Sequence, residues 1–432
     1  MTSLRVQLRD VVRRFPDTHV AVHSAALITT WIITAATGII FWSIAARVMS
    51  PERLGVDTAL ISLISTAGIV AATGTGNSFV ALLPAPGCDR QKRLADGYFI
   101  VGLLSTVIGA AMGIVASATL HLDLATAVCW TTIGSVASAT YILKDSALVG
   151  LGGTPKLLGQ NLGASIAKIA LVILLASYVS HPAVLATVVS SAVVSAMALG
   201  IVIPRLLTTL TTDSPATMSG GPTRKDLAVF SIRDGAGSAM ANGVFLILPF
   251  LTTWIAGATQ GAVVALTLSF SLSLELVSGG VGTALTAGLS ASPERLWERG
   301  RRAWLITQAI AIVTALGLIV AGPAVVAILG SQYQHLPVVS VLIILAVGSV
   351  ARVPFVIWSS VVRAMGRTGS ILITNAFGTA LAIPLIMWCT TQWGAVGAAV
   401  GLTIASTATG FIGAVGILTN GRPAFHPSKN SA

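Results

Sequence analysis

Charge is the scarcest ingredient of this sequence. Among its 432 residues only 9% are Asp, Glu, Lys or Arg, whereas a soluble domain carries roughly 25%. That shortage excludes a water-exposed globular fold. Cysteine is nearly absent as well: Cys88, Cys129 and Cys389 stand alone, with neither metal-ligand nor disulfide spacing. No Walker A sequence is present, which removes direct ATP hydrolysis, and no His, Ser and Asp set has catalytic spacing. His121, His181 and His335 fall in or beside short loops, where a solvated histidine is ordinary. An enzyme, a cofactor and a metal site are therefore not expected.

Apolar length is what the sequence does have. Hydrophobic residues make up 54% of it and the mean hydropathy is +0.89, arranged as long apolar runs between short polar loops. Backbone polar groups in lipid must be satisfied within the segment, so such runs form helices. Windows of about 20 residues place about twelve spans. The first six lie at about 24–46, 56–83, 97–119, 125–143, 157–179 and 183–203, the second six at about 229–255, 260–290, 303–329, 336–360, 370–391 and 395–418. The net charge of +11 raises the question of nucleic acid, but its placement answers it. Arg90, Lys92, Arg93, Lys144, Lys156, Arg205, Arg299, Arg363 and both tails sit on even loops, while odd loops hold only Arg47 and Arg53. Lys and Arg gather on the cytoplasmic side, so both termini are expected there, in a cell inner membrane, with anionic lipid as the partner of the positive charge. Nucleic acid is not. Residues 1–23 read as an amphipathic segment on that membrane surface, with Leu4, Leu8, Val11 and Phe15 on one face and Arg5, Arg9 and Arg13 largely opposite.

A turn occurs twice. GGTPKLLGQN (Gly152 to Asn161) returns as GRTGSILITN (Gly366 to Asn375), with Gly, Thr, Leu and Asn in register at a shift of 214. A shift of 206 aligns Gly55 with Gly261, Leu60 with Leu266, Gly74 with Gly280 and Gly76 with Gly282. Residues 24–204 and 229–418 are thus read as two copies of a six-helix bundle, joined by the polar linker 205–228 and followed by a tail, 419–432. An even number of spans per copy makes them parallel repeats around a central cavity. TGTGNS (Thr73 to Ser78) has the look of a dinucleotide loop but lies late in an apolar helix, which points to close helix packing instead.

Buried charge marks the candidate site, since an ionised residue at mid-membrane costs about 2.5–3.5 kcal/mol on insertion scales. Lys168 is central in the fifth span, and Asn161, Ser165 and Lys168 form one polar stripe at helical spacing. Asn375 and Thr379 repeat its first two members in the eleventh span. Glu275 is central in the eighth, sharing a face with Ser271, Ser278 and Gly282, and Arg352 lies inside the tenth. Arg233 enters the seventh near its cytoplasmic end. Two readings stand side by side. Glu275 neutralises Lys168 or Arg352 as a structural pair, or these groups line a mildly cationic, water-filled cavity suited to an anionic headgroup. Glu275 is the candidate for ion coupling. Pro249, Pro354 and Pro384 interrupt the second bundle's helices and are hinge candidates, with static kinks as the alternative.

AARVMSPERLGVDTALISLIS (Ala45 to Ser65), the glycine-rich end of the second span, VVRAMGRTGSILITNAFG (Val361 to Gly378) and WGAVGAAVG (Trp393 to Gly401) carry a resemblance across nearly the whole chain. The sequence resembles the polysaccharide exporters, or Wzx-type flippases, of the multidrug/oligosaccharidyl-lipid/polysaccharide (MOP) exporter superfamily. The resemblance implies a V-shaped pair of bundles opening a central cavity alternately to either side. It also implies a polyprenyl-diphosphate oligosaccharide as cargo and, as partners, a polysaccharide polymerase or glycosyltransferase complex. It assigns no site residue. A proton- or sodium-coupled drug exporter of the same superfamily and a non-transporting scaffold of glycan assembly are the alternatives.

Overall fold

The computed structural model describes residues 18–84, 89–212, 224–289, 296–365 and 368–420. The amphipathic segment as far as residue 17, the middle of the linker and the tail beyond residue 420 lie outside them. Among the described residues the chain is helical, with no strand. The first bundle contains α1 (Thr18–Val48), α2 (Pro51–Leu82), α3 (Arg90–Leu120), α4 (Leu124–Gly150), α5 (Pro155–Leu175) and α6. This last helix runs from Pro182–Met197 through a π-helical turn, Ala198–Val202, into Ile203–Thr212. The second contains α7 (Arg224–Ala256), α8 (Ala258–Leu289), α9 (Leu296–Val320), a short α10 (Gly322–Leu329), α11 (Val338–Ala364) and α12 (Thr368–Asn420). α12 holds the eleventh and twelfth spans, separated where Trp393 and Gly394 leave helical geometry.

The boundaries follow from local chemistry. Ser50, Asp89 and Asp123 cap α2, α3 and α4 by accepting hydrogen bonds from the N–H groups of Arg53, Lys92 and Thr126. Asp123 also takes the Thr126 hydroxyl, and together these bonds hold its carboxyl below the usual carboxylate range. Pro51, Pro155 and Pro182 occupy first-turn positions, where the missing N–H is no loss. Gly257 alone links α7 to α8, at φ 93°, a conformation that only glycine enters without strain.

Faces are inverted relative to a soluble helix. On α3, Gly97, Ser105, Gly109 and Gly113 turn inward, while Leu103, Val107 and Ile114 are about 60% exposed. Small residues let backbones approach, and lipid accepts the large apolar ones. The two bundles repeat the same packing. α2 packs on α3 and α4, and α3 on α4; correspondingly α8 packs on α9 and α11, and α9 on α11. Between bundles, α2 lies antiparallel to α7 and α8 lies against α1 and α2. Gly55 abuts Ala258, the Ser62 hydroxyl donates to the Leu246 carbonyl, and a Cβ on Gly235 would stand 2.5 Å from Gly74 Cα. The TGTGNS stretch is therefore a helix-packing motif, with Gly76 similarly fitted against Ser146.

The odd turns meet at one face. Arg53 donates to the Val179 carbonyl (2.8 Å) and Arg47 to that of Ile328 (2.7 Å), while Thr259 donates to Glu52 (3.3 Å) and Ala395 N–H to Gln260 (3.1 Å). Gln332 donates to the Ala46 and Met49 carbonyls. One assignment needs correction here. The fourth helix continues to Gly150 rather than ending near 143, so Lys144 is not a loop residue but is fully buried in α4. Arg205 likewise sits in the helical extension of α6.

Candidate functional site

The polar stripe of α5 faces α1 and α4. The Thr37 hydroxyl of α1 donates to Ser165 (3.0 Å), and Lys168 Nζ stands 4.3 Å from the centroid of the Phe41 ring. Among the described residues no acid lies against Lys168. One turn below Ser165, Asn161 Oδ1 accepts from Tyr141 (2.8 Å) and Lys144 (2.9 Å), and Lys144 also pairs with Asp145 at 2.5 Å. This α4–α5 cluster forms part of the wall of a cavity of about 530 Å³. The cavity lies between the bundles, lined by α1, α2, α4 and α5 on one side and α8 on the other. Ile39, Trp42, Val149, Leu272 and Leu276 make most of it apolar, while Thr34, Asp145 and Asn161 are among its polar residues.

In the second bundle, Arg352 Nη1 meets Glu275 at 2.6 Å, and its guanidinium stacks 4.3 Å from the Phe245 ring. Ser271 and Ser349 bond alongside at 2.9 Å. Asn375 donates to the Gly237 carbonyl (3.0 Å) and Thr379 to that of Met240 (3.3 Å), both on α7. Arg352, Asn375 and Thr379 line a small cavity of about 40 Å³ inside this bundle. Arg352 thus lines the small cavity, while Lys168 is among the lining residues of neither of these two. Of the two sequence-level partners for Glu275, the structure selects Arg352. Arg233 lies in the first turns of α7, and its side chain is outside the described residues. Pro249, Pro354 and Pro384 fall inside α7, α11 and α12.

Sequence reasoning missed two pairs. Lys144 and Asp145 were hidden by the shorter helix assignment, although Tyr141, Lys144 and Asp145 at i, i+3 and i+4 carried a one-face signal. Asp57, fully buried in α2, meets His181 Nδ1 at 2.7 Å and accepts from the Ala183 N–H at 2.9 Å. It thereby caps α6 from a distance, and His181 is not the free loop histidine its sequence position suggests.

No family profile matches the sequence, and no curated protein is significantly similar to it. Solved structures are similar in shape. An inward-facing multidrug resistance MATE-family transporter of the MOP superfamily aligns over 90% of this chain and 94% of its own, at TM-score 0.62 and 15% identity. An outward-facing MATE-family structure aligns over 92% and 95%, at 0.63 and 16%. A MOP-superfamily transporter from Pyrococcus furiosus, described as having a binding pocket of reverse polarity that suggests a different function, covers 93% and 95%, at 0.52 and 15%. The chain has the fold of these transporters.

Proposed function

We propose that this chain is a transporter that moves an anionic, lipid-linked oligosaccharide across the cytoplasmic membrane by alternating access. One observation carries the reading. Among the described residues, Asp57, Asp145 and Glu275 are each matched by a base, while Lys168 has an aromatic face beside it and no acid. A cation left over in a medium that penalises charge is suited to an anionic group on the cargo. The amphipathic cavity suits the same molecule, with polar head inside and polyprenyl chain out in lipid. In this reading Lys168 meets the diphosphate and Arg233 recruits it from the cytoplasmic side. Arg352 and Asn375 serve the second half of the path once Glu275 releases the guanidinium. Both termini face the cytoplasm, and the proline-containing helices α7, α11 and α12 bend as the cavity changes sides. An inside-negative potential favours outward anion movement by about 2.3 kcal/mol per charge per 100 mV, without ATP.

The likeness to MATE-family multidrug transporters favours a second reading, an ion-coupled drug exporter, with Glu275 exchanging the ion. Deleting the gene separates the two. Accumulation of a polyprenyl-diphosphate oligosaccharide with loss of surface glycan, followed by mass spectrometry, is the expected result. Unchanged lipid pools with new sensitivity to cationic drugs would establish the exporter instead. Lys168→Ala at native abundance is expected to reproduce the deletion's lipid phenotype; normal export in that variant refutes the diphosphate contact.

A further inference from the structure

The cavity wall where α4 meets α5 is charge-balanced, and that limits what it can bind. Lys144 is fully buried, and each ammonium hydrogen has a target: the Asp145 carboxylate at 2.5 Å, the Asn161 carbonyl at 2.9 Å and the Tyr141 ring face at 4.0 Å. Lys144 itself is not among the lining residues; its three neighbours are. Asp145 retains 35% of its side-chain exposure, with Oδ1 on Lys144 and Oδ2 held only loosely, 3.4 Å from Asn161 Nδ2. The cavity is thus presented with carboxylate lone pairs beside an amide N–H and the Tyr141 oxygen. Across from them, α1 contributes Thr34 and α8 contributes Ser273.

An anion placed here meets the Asp145 charge. A cation must compete with an ammonium already held on three sides. What the wall can satisfy is an uncharged group carrying donors and acceptors on adjacent atoms, because a carboxylate and an amide side by side match the two hydroxyls of a vicinal diol. We infer that this wall is a carbohydrate subsite, in which Asp145 and Asn161 read hydroxyls of the neutral glycosyl part of the cargo. The inference rests on the lipid-linked sugar reading above and divides its labour. Sugar is recognised on the α4–α5 wall, and the anionic linkage elsewhere along the α5 stripe.

The test uses the full chain in phosphatidylethanolamine–phosphatidylglycerol nanodiscs and three probes with one tail: geranyl maltoside, geranyl diphosphate and geranyl trimethylammonium. Wild type is expected to bind the maltoside. Asn161→Leu, and separately the charge-neutral double variant Lys144→Met with Asp145→Asn, are expected to weaken it at least tenfold while changing diphosphate affinity less than twofold. A variant-free measurement accompanies them, since either substitution can unsettle the fold. Maltosides lacking single hydroxyls should lose about tenfold affinity to wild type at the positions that are read. Diphosphate binding without maltoside binding, or deoxy-maltosides binding as well as the parent, overturns the sugar subsite and leaves the lipid-linked anion reading standing. Binding of the ammonium probe alone overturns both.

Discussion

Without the Lys144 ammonium, the Asp145 carboxylate would keep its charge with only an amide and the cavity beside it. Breaking a buried pair by removing one partner strands the other, whereas removing both leaves little uncompensated. Lys144→Met is expected to destabilise the protein by about 3 kcal/mol, the low end of the usual range because Asp145 reaches the cavity. Adding Asp145→Asn is expected to restore more than half of that loss, as read by thermal unfolding in detergent. At this scale the sequence was half legible. The Asn161–Ser165–Lys168 stripe could be read because helical spacing puts these residues on one face; in the structure Ser165 and Lys168 meet α1 and Asn161 meets α4. Lys144 could not, because a lysine near a predicted helix end is indistinguishable from a topology signal until the helix's true length is known. Its pairing with the adjacent Asp145 is equally hidden, since neighbours in sequence point apart on a helix and only the long lysine stem lets them meet.

For whole helices, the glycine contacts decide how closely the bundles approach. Gly235→Val places its Cβ 2.5 Å from Gly74 Cα, closer than non-bonded carbons approach. The expected outcome is an overpacking cost of about 1–3 kcal/mol and a wider α2–α7 spacing, measured as a longer distance between spin labels on those helices. Gly280, the repeat counterpart of Gly74, meets no atom within 4 Å of an added Cβ, so Gly280→Ala is expected to be silent in the same measurement. The string of long apolar helices was legible from hydropathy. Which face of each helix turns inward was less so: on α3 the outward side is the larger and more apolar one, the reverse of the pattern by which a soluble helix is read. The break between the last two spans was legible: the bounds 370–391 and 395–418 leave their gap where Trp393 and Gly394 depart from helical geometry.

Across the whole molecule, the odd-loop face is closed by exchanged caps. Arg47, at the end of α1, donates to the Ala327 and Ile328 carbonyls at the end of α10, and Gln332, just beyond α10, donates to the Ala46 and Met49 carbonyls at the end of α1. Each bundle thus satisfies helix-end acceptors that the other leaves open. Arg47→Ala combined with Gln332→Ala is expected to cost the closed face about 2 kcal/mol in hydrogen bonding. That is about a thirtyfold shift toward states open at this face, detectable as a second population in electron–electron distance distributions across it.

In the alternating-access reading proposed above, these caps also give the motion a solvent stoichiometry. A carbonyl that loses its partner across the seam must find a water molecule, so every opening of that face takes up water and every closing expels it. The equilibrium between the two is then an osmotic one. A polymer too large to enter the cleft should press the face shut, and the slope of ln K against osmotic pressure would give the volume of water drawn in at each opening.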